Sequence, residues 1–352
     1  MRLNVWLITL LMVLATSCGG NGTFVTTTGP GGGPDTTDSG GGTTTPNATP
    51  SDPNAVVIYV ANGFSVSAVE VATDETVELA SDLDGAFTVF VVGDDVFVAE
   101  LDGTLLQVDP GGGGVVGQVD LIAPAVELAL EGQDLWALSG STGIQTQIEK
   151  VDLSGGQVTA TVTPAAGSYF DDLAAGGGSL WAVGGDPKLA AAIAKIDPAL
   201  ATVTATYDVG IIAGRLAVEG GAVWVVGGGF VNPDGTGGGD VLVKVDPATG
   251  EVVATTQIAD IEGFPDIAAG YGAIWITDTA AGELVRVDPA TGTVAARIPV
   301  GSGGQDRFEI DLAKGLVWVT NPFDDKSFAV DPALNAWEQG VDRIPRFAGF
   351  AP

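Results

Sequence analysis

From residue 55 onward, apolar and polar positions follow each other in short runs that glycine, proline and aspartate interrupt. The segment 266–300 shows the unit: the runs DIAAG, AIWITD, ELVRVDP and TVAARIPV are separated by Gly-Tyr-Gly, Ala-Ala-Gly and Ala-Thr-Gly. The runs are rich in β-branched residues, and the separators suit tight turns. No stretch of this region has a sustained helical period. The pattern therefore predicts units of four short β-strands.

Two markers recur in phase along the chain and define this unit as a repeat. The first is an aromatic residue at intervals of 38 to 51 residues, found at Tyr59, Phe97, Trp136, Trp181, Trp224, Trp275 and Trp318. The second is an acid, mostly in Val-Asp-Pro or Ile-Asp-Pro, found at Glu70, Asp109, Asp152, Asp197, Asp246, Asp288 and Asp331. Four strands repeated at this interval are typical of a β-propeller.

The phase of the repeat sets the number of blades. The first copy begins with the aromatic strand and lacks the strand that precedes it elsewhere, while the chain continues past the last copy to residue 352. We therefore predict an all-β, seven-bladed β-propeller of four-stranded antiparallel blades over 55–352, in which the C-terminal segment supplies the missing inner strand of the first blade. Such closure removes an exposed sheet edge. Six blades plus a partial one is the alternative.

The repeated aromatic and acidic positions have structural interpretations. A tryptophan once per blade fills the widening space between neighbouring sheets, whereas a ligand cage needs rings that converge on one point. An aspartate at a strand end before Pro-Ala-Thr-Gly can accept hydrogen bonds from the N–H groups of its own turn. We expect both positions to stabilise the fold.

A third, non-identical column lies nine residues before each aromatic, at the start of the first strand of a blade. It consists of Thr88, Glu127, Asp172, Arg215, Asp266 and Glu309, and Asp171 and Asp311 flank it. Because the first strands of propeller blades line the central channel, these residues are predicted to form a charged ring at one channel mouth. Clustered carboxylates repel one another, which raises their pKa or attracts a cation. The alternative is a solvated channel rim without a ligand.

The repeats resemble one known family. IYVAN at 58–62 and VWVTN at 317–321, followed by VDPATG and ARIPVG, are similar to the YVTN-repeat, YncE-like propellers. The resemblance covers nearly all of 55–345 and implies the fold, but propellers of this kind host several activities. The repeats are also similar to lyase-type and quinoprotein propellers. The lyase type is expected to use a histidine, and this chain has none.

The N-terminus predicts export and lipid anchoring. Arg2 precedes the apolar stretch Leu3–Ala15, which is too short to span a bilayer comfortably, and small residues then lead to Cys18. This resembles a bacterial lipoprotein signal, 1–17, with acylation of Cys18, although Ala15 stands where that family prefers leucine. An ordinary secretory signal is the alternative. Gly19, rather than an aspartate, directly follows the cysteine, which resembles the lipoproteins that Gram-negative bacteria send to the outer membrane. Residues 18–54, rich in Gly, Thr and Pro, are predicted to be a disordered tether.

Composition limits the chemistry. The chain has 13 Lys+Arg against 44 Asp+Glu, a net charge of −31, no histidine and one cysteine. Too few cations are present for nucleic-acid binding. The absence of histidine excludes histidine-based triads and histidine metal ligands, and a single cysteine excludes an intrachain disulfide.

The sequence therefore predicts a cell-envelope lipoprotein that acts as a non-catalytic binding or scaffold module, with an envelope protein, peptide or glycan bound at the acidic mouth of the channel. We expect a monomer without a cofactor, with Ca²⁺ or Mg²⁺ as candidate cations. The first alternative is a divalent-cation-assisted lyase or hydrolase that uses Asp172, Asp266 or Glu309 as base. The second is a quinone-dependent dehydrogenase.

Overall fold

The computed structural model describes residues 57–70, 76–92, 95–140, 146–186, 189–228, 238–259, 265–304, 308–313, 315–321, 324, 326–342 and 349–350. The predicted signal 1–17, Cys18 and the predicted tether 18–54 lie outside these residues. The described residues form 28 strands and contain no helix. None of them therefore belongs to a helix that could cross a membrane.

The strands form seven sheets of four antiparallel strands, and each sheet is one blade. The innermost strands are β4 (Ala86–Val92), β8 (Ala125–Glu131), β12 (Asp172–Gly176), β16 (Ile212–Glu219), β20 (Ile267–Gly270), β24 (Glu309–Ala313) and β28 (Gly349–Phe350). The second strands are β1 (Val57–Ala61), β5 (Asp95–Glu100), β9 (Asp134–Ser139), β13 (Ser179–Asp186), β17 (Ala222–Gly228), β21 (Ala273–Asp278) and β25 (Leu316–Asn321).

The outer half of each blade follows the same order. The third strands are β2 (Val66–Glu70), β6 (Thr104–Asp109), β10 (Gln147–Asp152), β14 (Leu189–Asp197), β18 (Asp240–Val245), β22 (Glu283–Asp288) and β26 (Lys326–Asp331). The outermost strands are β3 (Thr76–Ala80), β7 (Gly114–Asp120), β11 (Gln157–Val162), β15 (Thr202–Asp208), β19 (Val252–Gln257), β23 (Thr293–Pro299) and β27 (Ala336–Asp342).

The first blade is built from both ends of the propeller. Strand β28 pairs antiparallel with β1, with Phe350 opposite Ile58 and Gly349 opposite Tyr59. This confirms seven blades and the predicted closure by the C-terminal segment, and it rules out the alternative of six blades plus a partial one.

The aromatic column packs between the blades, as predicted. Its five tryptophans are at most 2% exposed, and the other two members, Tyr59 and Phe97, are buried as well. Removal of this much apolar surface from water stabilises each blade interface by roughly 2–3 kcal/mol per ring. The aspartate column also behaves as predicted: the carboxylate of Asp246, for example, accepts the N–H groups of Ala248 and Thr249.

The topology separates the connections onto two faces of the propeller. Because the strands of a blade alternate in direction, the turns between second and third strands lie on the same face as the connections from each outermost strand to the next blade. We call this the mouth face, since the innermost strands begin there. The turns between first and second strands and between third and fourth strands form the opposite face, which carries the repeated aspartates.

Candidate functional site

The structure brings the predicted charged column together around the channel. Glu127, Asp172, Arg215, Asp266 and Glu309 all line one cavity of about 550 Å³, and Thr88 lines it as well. Each side chain comes from a different blade, near the start of an innermost strand. Of the two flanking acids, Asp311 lines the same cavity.

Local irregularities of the innermost strands orient several of these side chains. The pairing of first and second strands shifts register between Ala125 and Glu127, and again between Ala213 and Arg215. The same shift precedes Thr88. Such a β-bulge inserts one residue and turns the next side chain to a new direction. In three blades, therefore, a bulge sets the direction of the column residue.

Below the charged ring the cavity is lined largely by small side chains. The position two residues after the column holds Ala174, Ala217 and Ala268, each of which pairs with the tryptophan of its own blade. Phe90 and Asp311 occupy the equivalent position in two other blades. The alanines leave room in the channel, while Asp311 adds an acid at the same level, so that the cavity has an acidic rim and walls of both apolar and acidic side chains.

The centre of the ring is an ion-pair network. The Arg215 Nη1 atom lies 2.6 Å from Asp172 Oδ1 and 3.6 Å from Glu127 Oε2. Asp172 is 4% exposed, and its second oxygen accepts the N–H of Leu216 at 2.8 Å. One aspartate thus joins its own blade to both the side chain and the backbone of the next. The Glu127 side chain remains 32% exposed, so that it can reach a ligand in the channel.

Asp266 makes a second connection of the same kind. Its Oδ2 atom accepts the N–H of Ile310 in the next blade at 3.0 Å, and its own N–H donates to Thr277 Oγ1 at 2.8 Å. In both cases the residue that donates the N–H directly follows the column residue of its blade. Adjacent innermost strands share no β-ladder, and these carboxylates supply hydrogen bonds between them.

The enclosed arrangement raises the pKa values of the acids. Burial, with the charge of Asp172, raises the pKa of Glu127 to about 8, although Arg215 opposes the rise. Burial raises the pKa of Asp266 to about 7, against the opposing effects of Arg215 and the Ile310 N–H. Burial and the charge of Glu309 raise the pKa of Asp311 well above its usual range. These acids therefore hold protons up to about neutral pH, and a cation that entered the ring would favour their ionised forms.

This set of side chains suits an organic cation better than a metal ion. Both oxygens of Asp172 already accept hydrogen bonds, from Arg215 and Leu216. Among the residues that the structure describes, no group of three Asp, Glu, His or Cys side chains could hold a metal ion. Ca²⁺ takes six to eight oxygen ligands, and the described ring offers no such cage. An ammonium or guanidinium group needs only separate acceptors spread around it.

One recurring set of residues escaped the sequence analysis. Lys150, Lys195, Lys244 and Arg286 place their cationic groups 5.1 to 5.8 Å from the ring centroids of the tryptophans in their own blades. Each stands two residues before the repeated aspartate, next to a β-bulge that recurs at this point. The fixed offset of two residues from the aspartate is the sequence pattern from which these cations could have been identified. Lys195 and Lys244 also donate to the carbonyls of Pro247 and Pro289 in the next blade.

Comparison with known proteins identifies the fold of the chain but assigns it to no family. No protein-family model and no curated protein matches the sequence. Hydrazine synthase of Kuenenia stuttgartiensis is structurally similar, at 13% identity and a TM-score of 0.61, over 83% of this chain and 99% of that one. BamB of Moraxella catarrhalis is similar at 13% identity and 0.54, over 81% and 82% of the two chains.

The dihydro-haem d1 dehydrogenase NirN, in complex with DHE, is also similar, at 13% identity and a TM-score of 0.58; the match covers 85% of this chain and 66% of NirN. These likenesses show the fold alone. Because the same fold occurs in a synthase, in a dehydrogenase and in BamB, the function of this chain must be inferred from the residues of its channel.

Proposed function

We propose that the protein is an exported, lipid-anchored binding module of the bacterial cell envelope, and that it binds a cationic group at the acidic mouth of its channel. The observation that carries the proposal is the content of the channel cavity. Five carboxylic acids, Glu127, Asp172, Asp266, Glu309 and Asp311, share it with a single arginine. A cation placed among these acids would stabilise their ionised forms, and the partly enclosed site limits the screening of that attraction by solvent.

The proposed ligand is an ammonium or guanidinium group with an apolar stem, such as the end of a basic side chain of an envelope protein or peptide. The charged end would lie among the carboxylates, and the stem would lie along the alanines and Phe90 below them. Binding of the cation would stabilise the ionised acids and so lower the pKa of Glu127 and Asp266.

Export and anchoring rest on the N-terminal sequence. The short apolar stretch that ends at the sole cysteine, Cys18, is the pattern of a lipoprotein signal, and the YVTN-like repeats are in keeping with an envelope propeller. Acylation would be tested by labelled palmitate and by fractionation of cells that express Cys18→Ser. Loss of both label and membrane association in the variant supports the anchor, and retention of either contradicts it.

A second candidate function is acid–base catalysis in the channel, as a lyase or hydrolase assisted by a divalent cation. The observation in its favour is that the pKa of Asp266, about 7, suits a general base near neutral pH. The binding proposal ranks first because the described acids form no group of three that could hold such a cation. Turnover that disappears in Asp266→Asn would reverse this order.

The binding proposal is tested with spermine, a linear polyamine, as the cationic probe. In thermal unfolding and calorimetric titration, we expect spermine to raise the Tm of the wild-type protein by about 3 °C or more at saturation. The double variant Glu127→Gln/Asp266→Asn should lose this shift. The control is Glu78→Gln/Glu251→Gln, which removes the same number of carboxyl groups from exposed positions on the outer part of the blades. An equal loss in both double variants would show only a general charge effect and would overturn the proposal.

A further inference from the structure

Three large apolar side chains are exposed on neighbouring loops of the mouth face. Phe64 is 75% exposed, Leu101 65% and Ile122 68%. Phe64 lies in the β1–β2 turn of the first blade, Leu101 in the β5–β6 turn of the second, and Ile122 in the β7–β8 connection from the second blade to the third. We call these residues the apolar rim patch. Single exposed apolar residues are common, but three on adjacent loops of one face form a candidate interaction surface.

Hydrogen bonds connect these loops in series. The Phe64 carbonyl accepts the Leu83 N–H at 2.9 Å, and the Gly85 carbonyl accepts the Leu101 N–H at 3.1 Å. The next step runs from the Leu121 N–H to the Gly103 carbonyl, at 3.0 Å. Gly103 has φ of 101°, and a Cβ there would lie 2.9 Å from the Leu121 carbonyl oxygen. Glycine at this position therefore permits the close approach of the two loops.

Polar side chains, two of them buried, hold the same loops in place. The Asn62 side chain accepts the N–H groups of Phe64 and Ser65. Glu100, which is 6% exposed, accepts the Asp84 N–H, and Glu149, which is 3% exposed, accepts the Ile122 N–H. The patch is thus presented on a backbone that needs little further ordering, which reduces the entropic cost of binding a partner.

The charged side chains on the described loops of the patch are all acidic. Asp82, Asp84, Asp102 and Asp120 are exposed on the same loops or directly beside them. The sequence contains no lysine or arginine between Arg2 and Lys150, so strands β1 to β9 carry no side-chain cation, although Arg343 and Arg346 precede β28, the innermost strand of the first blade. A partner that covers this surface must supply apolar groups for the exposed side chains and cations for the carboxylates around them.

We propose that the apolar rim patch docks a segment of a partner protein in which apolar side chains stand between lysines or arginines. Phe64, Leu101 and Ile122 would bury apolar side chains of that segment, and the surrounding aspartates would pair with its cations. The proposal gives the binding module a protein partner. It uses none of the channel acids, so it can fail or hold independently of the channel site.

The test uses a short fluorescein-labelled peptide of alternating leucine and lysine, with two matched peptides. Serine replaces leucine in the first, and glutamate replaces lysine in the second. Fluorescence anisotropy should show that the full-length protein binds the Leu/Lys peptide about tenfold or more tightly than the Ser/Lys peptide, and binds the Glu peptide least.

Two double variants test whether the peptide binds at the apolar rim patch. Phe64→Ser/Leu101→Ser should abolish the preference for leucine over serine, with an unchanged Tm because both side chains are exposed. The matched control is Leu200→Ser/Leu334→Ser, which removes two equally exposed leucines (68% and 62%) from the opposite face and should keep the preference.

Three results would overturn the proposal: equal affinity for the Leu/Lys and Ser/Lys peptides, an equal loss in both double variants, or loss of the preference in Glu127→Gln/Asp266→Asn. The last result would place the binding in the channel and leave the function proposed for the channel standing.

Discussion

At the scale of single residues, Arg215 and its acids are the most consequential feature of the molecule. Arg215 pairs with a nearly buried Asp172, which also bonds the backbone of the next blade. Repulsion among the remaining acids is only partly relieved, because one guanidinium faces several carboxylates. The residues that form the proposed binding site therefore also limit the stability of the fold.

Removal of Arg215 should destabilise the protein strongly. Arg215→Ala leaves Asp172 without its cation in a buried position, and we expect a loss of about 3 kcal/mol in the free energy of unfolding, measured by urea denaturation. The control is Asp134→Asn, which breaks the exposed ion pair of Asp134 with Lys150 at 2.6 Å and should cost less than about 1 kcal/mol. Equal losses would contradict the described burial of Asp172.

Stability should fall as pH rises through the range in which the channel acids ionise. The pKa of Asp266 is raised from 3.8 to about 7, so the folded state binds its proton more tightly than the unfolded state does. The stabilisation is therefore complete below about pH 4 and is lost progressively toward about pH 7. For Glu127 the decline runs from its ordinary pKa of 4.5 to about 8.

Asp266→Asn should flatten this decline, because the amide carries no charge and can still accept the Ile310 N–H. We expect the variant to be more stable than the wild type above pH 7, by about 1–2 kcal/mol once solvent screening is allowed for. Urea denaturation across this pH range measures the difference. A wild-type protein whose stability rises over the same range would contradict the assigned shifts.

At the scale of the secondary-structure element, each blade is held to the next by more than apolar packing. In blades three to six, a cation on the third strand covers the tryptophan of the second. In two of them the same lysine donates to a proline carbonyl of the following blade. The tryptophan fills the space, and the lysine joins the two sheets on the opposite face from the charged ring.

The lysine should contribute measurably to stability. Lys244→Met keeps the apolar stem but removes the cation, which lies 5.1 Å from the Trp224 ring centroid, and the hydrogen bond to Pro289. We expect a loss of about 1–2 kcal/mol in the free energy of unfolding. Lys326→Met, at an exposed position, serves as the control and should change stability by less than about 0.5 kcal/mol. No loss in Lys244→Met would show that these contacts are incidental.

At the scale of the whole molecule, closure of the ring depends on a strand of only two residues, Gly349–Phe350. Without it the first blade would have three strands and β1 would present a free edge. Removal of residues 343–352 should therefore lower the Tm by roughly 10 °C and promote aggregation, as seen by thermal unfolding and gel filtration. Removal of residues 1–54 is the control, and the sequence predicts no change in Tm. An unchanged Tm after the C-terminal truncation would contradict closure.

Much of this architecture could be predicted from the sequence because it repeats. In-phase markers such as Trp275 and Asp288 report the same environment in every blade, so that the blade count, the closure and the position of Asp266 in the channel follow from phase alone. The pairing of Arg215 with Asp172 could not be predicted in this way, since it depends on a bulge after Ala213 and on side-chain directions that no repeat encodes.

The central claim is that the channel acids bind a cation, and proton release tests it most directly. Calorimetric titration with spermine at about pH 7.5, in two buffers of different ionisation enthalpy, counts the protons exchanged on binding. We predict net proton release by the wild-type protein, because a bound cation lowers the pKa of Glu127 and Asp266, and none by Glu127→Gln/Asp266→Asn. No binding, or binding with equal proton exchange in both proteins, would contradict the claim.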